Sequence, residues 1–216
     1  MSPRTICLLS CLCIVSSLTG CQLTTTGKNG YNGNWAPLFD GTSLAGWKQS
    51  DFLNPGVAYA RDRKLTIPAG EVMSGITWAG DFPKMDYEIR LEAMRAGGSD
   101  FFCGLTFPVN DSFASLILGG WGGTVCGISC LDGEDAANNE TTTSTNFNNN
   151  TWYAVRLRVT KNKLEAWLDN EQIVNADTKD REIGVRIEVE ESRPLGLATF
   201  QTTAALRNIS WRKLAE

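Results

Sequence analysis

The sequence predicts an all-β domain, a two-sheet antiparallel sandwich of the jelly-roll kind. Three observations point to it. Apolar and polar residues alternate with a period of two along much of the chain. No stretch of a dozen residues carries helical periodicity. About ten short strands fit within a single domain of this length, which is the count a sandwich needs.

The alternation is strictest in three places. Tyr87, Ile89, Leu91 and Ala93 alternate with Glu88, Arg90 and Glu92. Tyr153, Val155, Leu157 and Val159 alternate with Ala154, Arg156, Arg158 and Thr160. Ile183, Val185, Ile187 and Val189 alternate with Glu182, Gly184, Arg186, Glu188 and Glu190. Each predicts a strand with one buried and one wet face. Lys161-Asn162-Lys163 joins the second to residues 164–168 as a hairpin, and Asp169-Asn170 turns into 172–174. Shorter strands are expected at 64–67, 75–78, 101–106, 114–118, 195–201 and 206–213. Two segments interrupt the pattern. Gly119-Gly120-Trp121-Gly122-Gly123 sets an aromatic between paired glycines, and residues 131–143 form a long polar loop dense in side-chain oxygens.

The N-terminus has the layout of a secretory signal. Arg4 is followed by the apolar run Ile6 to Val15 and then by Leu18-Thr19-Gly20-Cys21, the bacterial lipobox. The run is shorter than the roughly 18–20 residues that span a bilayer. Residues 1–20 are therefore expected to be removed, Cys21 to be acylated, and residues 21–34, rich in Gly, Asn and Thr, to form a flexible tether. Gln22 after the cysteine favours the outer membrane of the bacterial envelope, periplasmic or surface-facing. Residues 35–216 remain as the folded domain.

Lys and Arg total 20 against 24 Asp and Glu, a net charge of −4. That balance suggests no basic patch for nucleic acid and no polybasic surface for anionic lipid. The chain contains no histidine, which removes Ser-His-Asp and Cys-His arrangements and imidazole metal sites. Of the seven cysteines, only Cys103, Cys126 and Cys130 fall in the domain. On one face of an extended strand, Cys126 and Cys130 stand roughly 13 Å apart, too far to bridge without a turn. Three buried thiols are expected.

The order of motifs resembles a known family. Trp35-Ala36-Pro37-Leu38-Phe39-Asp40-Gly41-Thr42-Ser43-Leu44-Ala45-Gly46-Trp47 is similar to the opening "LFDGxxLxGW" of the family long called DUF1080, the 3-keto-disaccharide hydrolase domain. Tyr87 to Glu92, Gly97-Gly98-Ser99, Trp152 to Leu157 and 164–174 resemble its middle motifs, and 206–214 its closing "FRNIxIKxL". The resemblance spans 35–214. It implies a concanavalin A-like jelly roll that acts on glycosides oxidised at sugar carbon 3, in an exported lipoprotein. An arginine common in the family after "GGNSG" is absent from 101–107, and a glutamate of the next strand is absent from 113–118.

Cleavage next to a carbon-3 ketone needs a base for the carbon-2 hydrogen and an electrophile for the enolate. Asp132, Glu134 and Asp135 are the candidate bases; the same oxygens could hold Ca²⁺, or simply form a solvated acidic turn. Arg207 is a candidate oxyanion donor, or a surface ion-pair partner. Trp121 is either a sugar-stacking platform or a core residue at a bulge. Asp100 reads as a turn cap or a sugar ligand. Asn138, Asn139 and Glu71 are weaker candidates for substrate binding, and Trp35, Phe39 and Trp47 are expected as core or staple aromatics. The sequence thus supports a membrane-anchored hydrolase or lyase of modified sugars. Its alternatives are a non-catalytic carbohydrate-binding or adhesion module on the same fold, since fold does not choose between them, and a structural envelope lipoprotein.

Overall fold

The computed structural model describes residues 35–215. The strands in chain order begin with β1 (Ala36–Pro37), β2 (Trp47–Gln49), β3 (Tyr59–Arg61), β4 (Lys64–Ile67) and β5 (Met73–Trp78). They continue with β6 (Tyr87–Gly97), β7 (Cys103–Val109), β8 (Ser112–Gly120), β9 (Val125–Ser129) and β10 (Thr143–Ser144). The last five are β11 (Trp152–Val159), β12 (Lys163–Leu168), β13 (Glu171–Asp177), β14 (Gly196–Phe200) and β15 (Thr203–Lys213). The first sheet runs β13-β12-β11-β6-β15-β4-β3, with β1 added beside β15. The second runs β10-β9-β8-β7-β14-β5-β2. Every pairing is antiparallel, and the two sheets face each other across one core, as the alternation predicts.

The core is the sum of the inward phases. Tyr87, Ile89, Leu91 and Ala93 of β6 and Val155, Leu157 and Val159 of β11 meet Leu105, Phe107, Leu116, Leu118 and Ile128 of the second sheet. Tyr87 donates its hydroxyl to the Pro108 carbonyl at 2.5 Å, and burial raises its pKa well above the ordinary tyrosine value. The opening motif is a folding device. The Asp40 carboxylate accepts N–H groups of Thr42 and Ser43 and the Ser43 hydroxyl, which holds it well below the usual carboxylate range. Trp47 then donates its indole N–H to the Leu38 carbonyl at 2.7 Å and meets Trp78 edge-on at 5.2 Å.

The outer face of the second sheet is built from small side chains. Gly75, Ala198, Gly104, Ile117 and Gly127 lie in one cross-strand row, and Thr77, Gly196, Thr106, Ser115 and Ser129 in the next. Such a surface lets another chain segment lie close. Residues 183–194 do so, and here the structure differs from the sequence expectation of a strand. Residues 182–184 pair briefly with 130–132, through the Ile183–Leu131 bridge and the backbone bonds between Cys130 and Gly184, and Ile187–Ser192 is a 3₁₀ helix crossing over the sheet. Strand β10 takes the Val125–Cys126 part of the β9 edge, and the pairing of the segment with 130–132 stops at Gly184. Val185 and Val189 pack down on Phe101, Ile117 and Ala198 while Glu188 and Glu190 face water, but Ile187, of the same apolar phase, is 82% exposed. The Thr77 hydroxyl, donating to the Glu191 carbonyl at 2.8 Å, ties the segment to β5.

The outer face of the first sheet has the opposite character. Glu88 on β6 is fully buried there, and it accepts hydrogen bonds from Arg156 at 3.2 Å, Arg158 at 2.8 Å and Arg212 at 2.6 Å. Burial pushes its pKa up, but the bonds and charges of Arg158 and Arg212 outweigh that and hold it below the usual carboxylate range. A group depressed in this way stabilises fully above the ordinary glutamate pKa of about 4.3. That contribution is lost as pH falls through the lower folded value. Glu88→Gln removes the charge that three guanidinium groups surround. It should cost about 2–4 kcal/mol in urea unfolding at pH 7, the low end reflecting the partly exposed arginines, and should flatten the acid limb of stability against pH.

Candidate functional site

A cavity of about 260 Å³ lies on the outer face of the second sheet, where residues 183–194 leave it uncovered. Met73, Phe101, Ile117 and Phe200 line it together with Val189; Trp121, Asp100, Arg186 and Glu188 bring its aromatic and charged groups. The surface is mostly apolar with charged groups grouped around it, the composition of a small-molecule site.

Trp121 begins the four-residue turn between β8 and β9. It holds φ of 50°, with 88° at Gly122 and 116° at Gly123, so glycines carry most of the left-handed backbone that the turn requires. The ladder shifts register between Leu118 and Gly120, so the glycines do mark a bulge. Yet the indole is not in the core. It is 44% exposed and faces the Arg186 guanidinium at 5.9 Å.

Two side chains set this turn in place. Asp100 accepts the Phe101 N–H at 2.7 Å with one oxygen and the Gly122 N–H at 2.9 Å with the other, so the turn-capping role and the cavity position coincide. Arg95 is buried, and it donates to Asn149 Oδ1 at 2.7 Å, to the Phe147 carbonyl at 2.5 Å, and to the Ser99 and Gly123 carbonyls. A side chain added at Gly123 would stand 2.4 Å from the Ser99 oxygen, which shows how closely the turn is drawn in. Arg95 was missed as a site determinant. Its signal was available: it continues the inward phase of Tyr87, Ile89, Leu91 and Ala93, where a charge demands partners.

The acidic loop does not form one cluster. Asp132 accepts the Glu182 N–H at 2.8 Å and Arg181 Nε at 2.5 Å, and Arg181 also takes Glu140, whose pKa it lowers. That group borders a second, polar hollow lined by Met85, Ser112 and Thr178, away from Trp121. Asp135 alone reaches toward the cavity, through Arg186 at 2.6 Å, while accepting Ala137 N–H and Asn138 Nδ2. Glu134 enters the loop's hydrogen bonding through its backbone, to Leu131 and Asn139. Asn139 is a loop brace: its amide donates to the Ile128, Glu134 and Asp135 carbonyls and its oxygen accepts from Thr141. Asn138 is tied to Asp135. No three His, Cys, Asp or Glu side chains among the described residues are grouped to hold a metal ion.

Arg207 lies on the other sheet. It bonds Glu92 through Nε at 2.8 Å and stacks on Trp152 at 4.0 Å, so the surface ion-pair reading describes it. Glu71 accepts Asn54 Nδ2 at 2.8 Å outside the cavity. Trp35 is half-buried on the outer face of the first sheet instead of in the core, whereas Phe39 and Trp47 are buried. Cys103 and Cys126 are buried and unbridged; burial, then the neighbouring Cys126, pushes the Cys103 thiol up to about 12. Cys130 is half-buried, short of the expected burial. Cys21 lies outside the described residues. Arg186 and Glu188 were not foreseen, because the alternation placed both on the wet face of a strand.

Glu188 is the cavity carboxylate that pairs with a guanidinium. Hydrogen bonds from Arg186 Nη2 at 2.7 Å and Nε at 3.2 Å hold it below the usual range, and in return it raises Arg186.

The fold is shared with carbohydrate-active proteins. A candidate glycosyl hydrolase from Parabacteroides distasonis superposes with TM-score 0.55 at 12% identity, covering 84% of this chain and 94% of its own. The carbohydrate binding module CBM66 from Bacillus subtilis gives 0.52 at 14%, covering 78% and 96%. The Crh5 transglycosylase gives 0.57 at 11%, covering 84% of each chain. No curated protein sequence matches the chain. The model of the 3-keto-alpha-glucoside-1,2-lyase-like domain matches residues 34–212, nearly the whole domain, and the chain belongs to that family.

Proposed function

We propose that this chain is a lipid-anchored protein of the bacterial envelope, held at the outer membrane through Cys21, that binds a glycoside beside Trp121. One observation carries the binding site: an exposed indole adjoins an apolar cavity surface, with Arg186 and Glu188 beside it. A pyranose has an apolar face that fits an indole, and edge hydroxyls that fit charged hydrogen-bonding groups. The membership in a glycoside-directed family and the fold shared with a carbohydrate binding module support the same ligand class. Leu18-Thr19-Gly20-Cys21 supports the anchor. Among the described residues no helix is long and apolar enough to cross a membrane.

Recognition is favoured over base chemistry by the state of the carboxylates. A general base works best with a pKa near the working pH. Glu188 is held ionised by Arg186, and both Asp100 oxygens accept backbone N–H groups. The second reading is elimination from a 3-keto-α-glucoside, favoured by the family and by Glu188 standing next to a cation in the cavity. There Glu188 would take the carbon-2 proton. The electron pair would pass through an enolate facing Arg186 to form the C1–C2 double bond, and the anomeric oxygen would leave as an alcohol with a proton taken from water.

Titration with a 3-keto-α-glucoside and its parent α-glucoside, followed by tryptophan fluorescence, tests binding. Trp121→Ala should weaken affinity at least about tenfold, the weight of ~1.4 kcal/mol for a stacked aromatic, with unfolding unchanged because the ring is exposed. Equal affinity in the variant would refute the assignment. The lowered pKa of Glu188 means its ion pair is complete above about 4.3 and dissolves only as pH falls below that. Affinity should therefore stay level from mildly acidic to neutral pH.

Ketone absorbance decides between the readings. It should stay constant on incubation with the 3-keto-α-glucoside. A conjugated-enone absorbance that grows with time, and that Glu188→Gln abolishes, would install the elimination reading instead.

A further inference from the structure

The outer face of the first sheet carries five arginines, Arg90, Arg156, Arg158, Arg207 and Arg212, against Glu88, Glu92 and Glu165. The chain as a whole is acidic, at −4, so this excess of cations is local. It was hidden in the sequence because strand alternation scatters these residues over three separate segments. Three tryptophans lie among them. Arg156 stacks on Trp167 at 3.6 Å, Arg207 on Trp152 at 4.0 Å, and Arg90 and Arg212 flank Trp35 at 4.1 and 4.8 Å. Stacking holds the guanidinium groups of Arg156, Arg207 and Arg212 flat and leaves N–H groups that the glutamates do not use. The side chains of Arg156, Arg158, Arg207 and Arg212 remain 32–38% exposed.

Trp35 is also where the chain enters the domain, and Cys21 precedes it by fourteen positions. Fourteen residues reach at most about 50 Å when fully extended. An acylated Cys21 thus holds the domain within that distance of the membrane, close enough for this face to reach it.

We propose that this arginine–tryptophan face docks on the membrane that holds Cys21, its guanidinium groups taking the phosphates of anionic phospholipids. The proposal rests on the anchor reading above. Tryptophan settles at headgroup depth, and arginine matches phosphate with paired N–H donors. Each net cation near an anionic leaflet favours the surface by about fivefold. Docking in this way turns the second sheet, with the Trp121 cavity, away from the lipid.

The test uses the mature acylated protein in vesicles of phosphatidylglycerol with phosphatidylcholine, and of phosphatidylcholine alone. Phenylglyoxal modification is followed residue by residue by mass spectrometry. Arg156, Arg207 and Arg212 should react at least severalfold more slowly on the anionic vesicles, with Arg193 unchanged as the reference, and high salt should erase the difference. Equal rates on both vesicles, with Cys21 shown by mass to be acylated, would overturn the docking surface and leave the anchor intact. An unmodified Cys21 would overturn the anchor and the proposal with it. Protection by polygalacturonate but not by anionic vesicles would give the face to an acidic glycan and overturn the lipid assignment.

Discussion

The cavity depends on a buried guanidinium. Arg95 sits on the inward phase of β6, where burial of an unpaired cation would be prohibitive, and it is tolerated because four acceptors converge on it. Those acceptors come from the 98–101 connection, the Trp121 turn and the 147–149 loop. One side chain of the first sheet therefore fixes the rim of the second. Asp100 finishes the arrangement from outside by holding Gly122, and the indole of Trp121 is left exposed on a rigid mount. Without Arg95 a glycine-rich turn has little to define its path, and an aromatic platform on it has no fixed position.

The two outer faces divide the labour of the sandwich. On the second sheet, glycine, alanine, serine and threonine dominate two cross-strand rows, so the 183–194 segment can lie almost on the backbone. A side chain at Gly196 would stand 2.3 Å from the Ser192 carbonyl. The cavity is the part of that surface which the segment fails to cover. On the first sheet the outward residues are long, charged and stacked on indoles, and among the described residues no segment crosses over them. A compact ligand suits the first arrangement; an extended anionic surface suits the second.

The most specific family motifs build turns. Asp40 winds the opening turn, Trp47 pins it to Leu38, and Arg207 with Asn208 clamps Glu92 where β15 bulges. That explains how a chain can carry both motifs while lacking the arginine and glutamate common on the family's middle strands. The motifs report the fold because the fold needs them. The proposed binding site sits elsewhere, on the Trp121 turn and the 3₁₀ segment, and is set by different residues.

Two-residue alternation was enough, from the sequence by itself, to determine the sandwich, the inward phases of β6 and β11, and the β11–β12–β13 meander. Alternation reports which side of a strand is buried, and that is a local property. The same pattern at 183–189 came from a segment lying across a sheet, since alternation cannot say whether a neighbouring edge is free. Only the tertiary structure decided that Asp132, Glu134 and Asp135 part company, that Arg186 and Glu188 join Trp121, and that five scattered arginines share one face. Each of these depends on register between strands distant in sequence, and on which charges find partners across it. Long-range pairing sets both, and no local pattern encodes it.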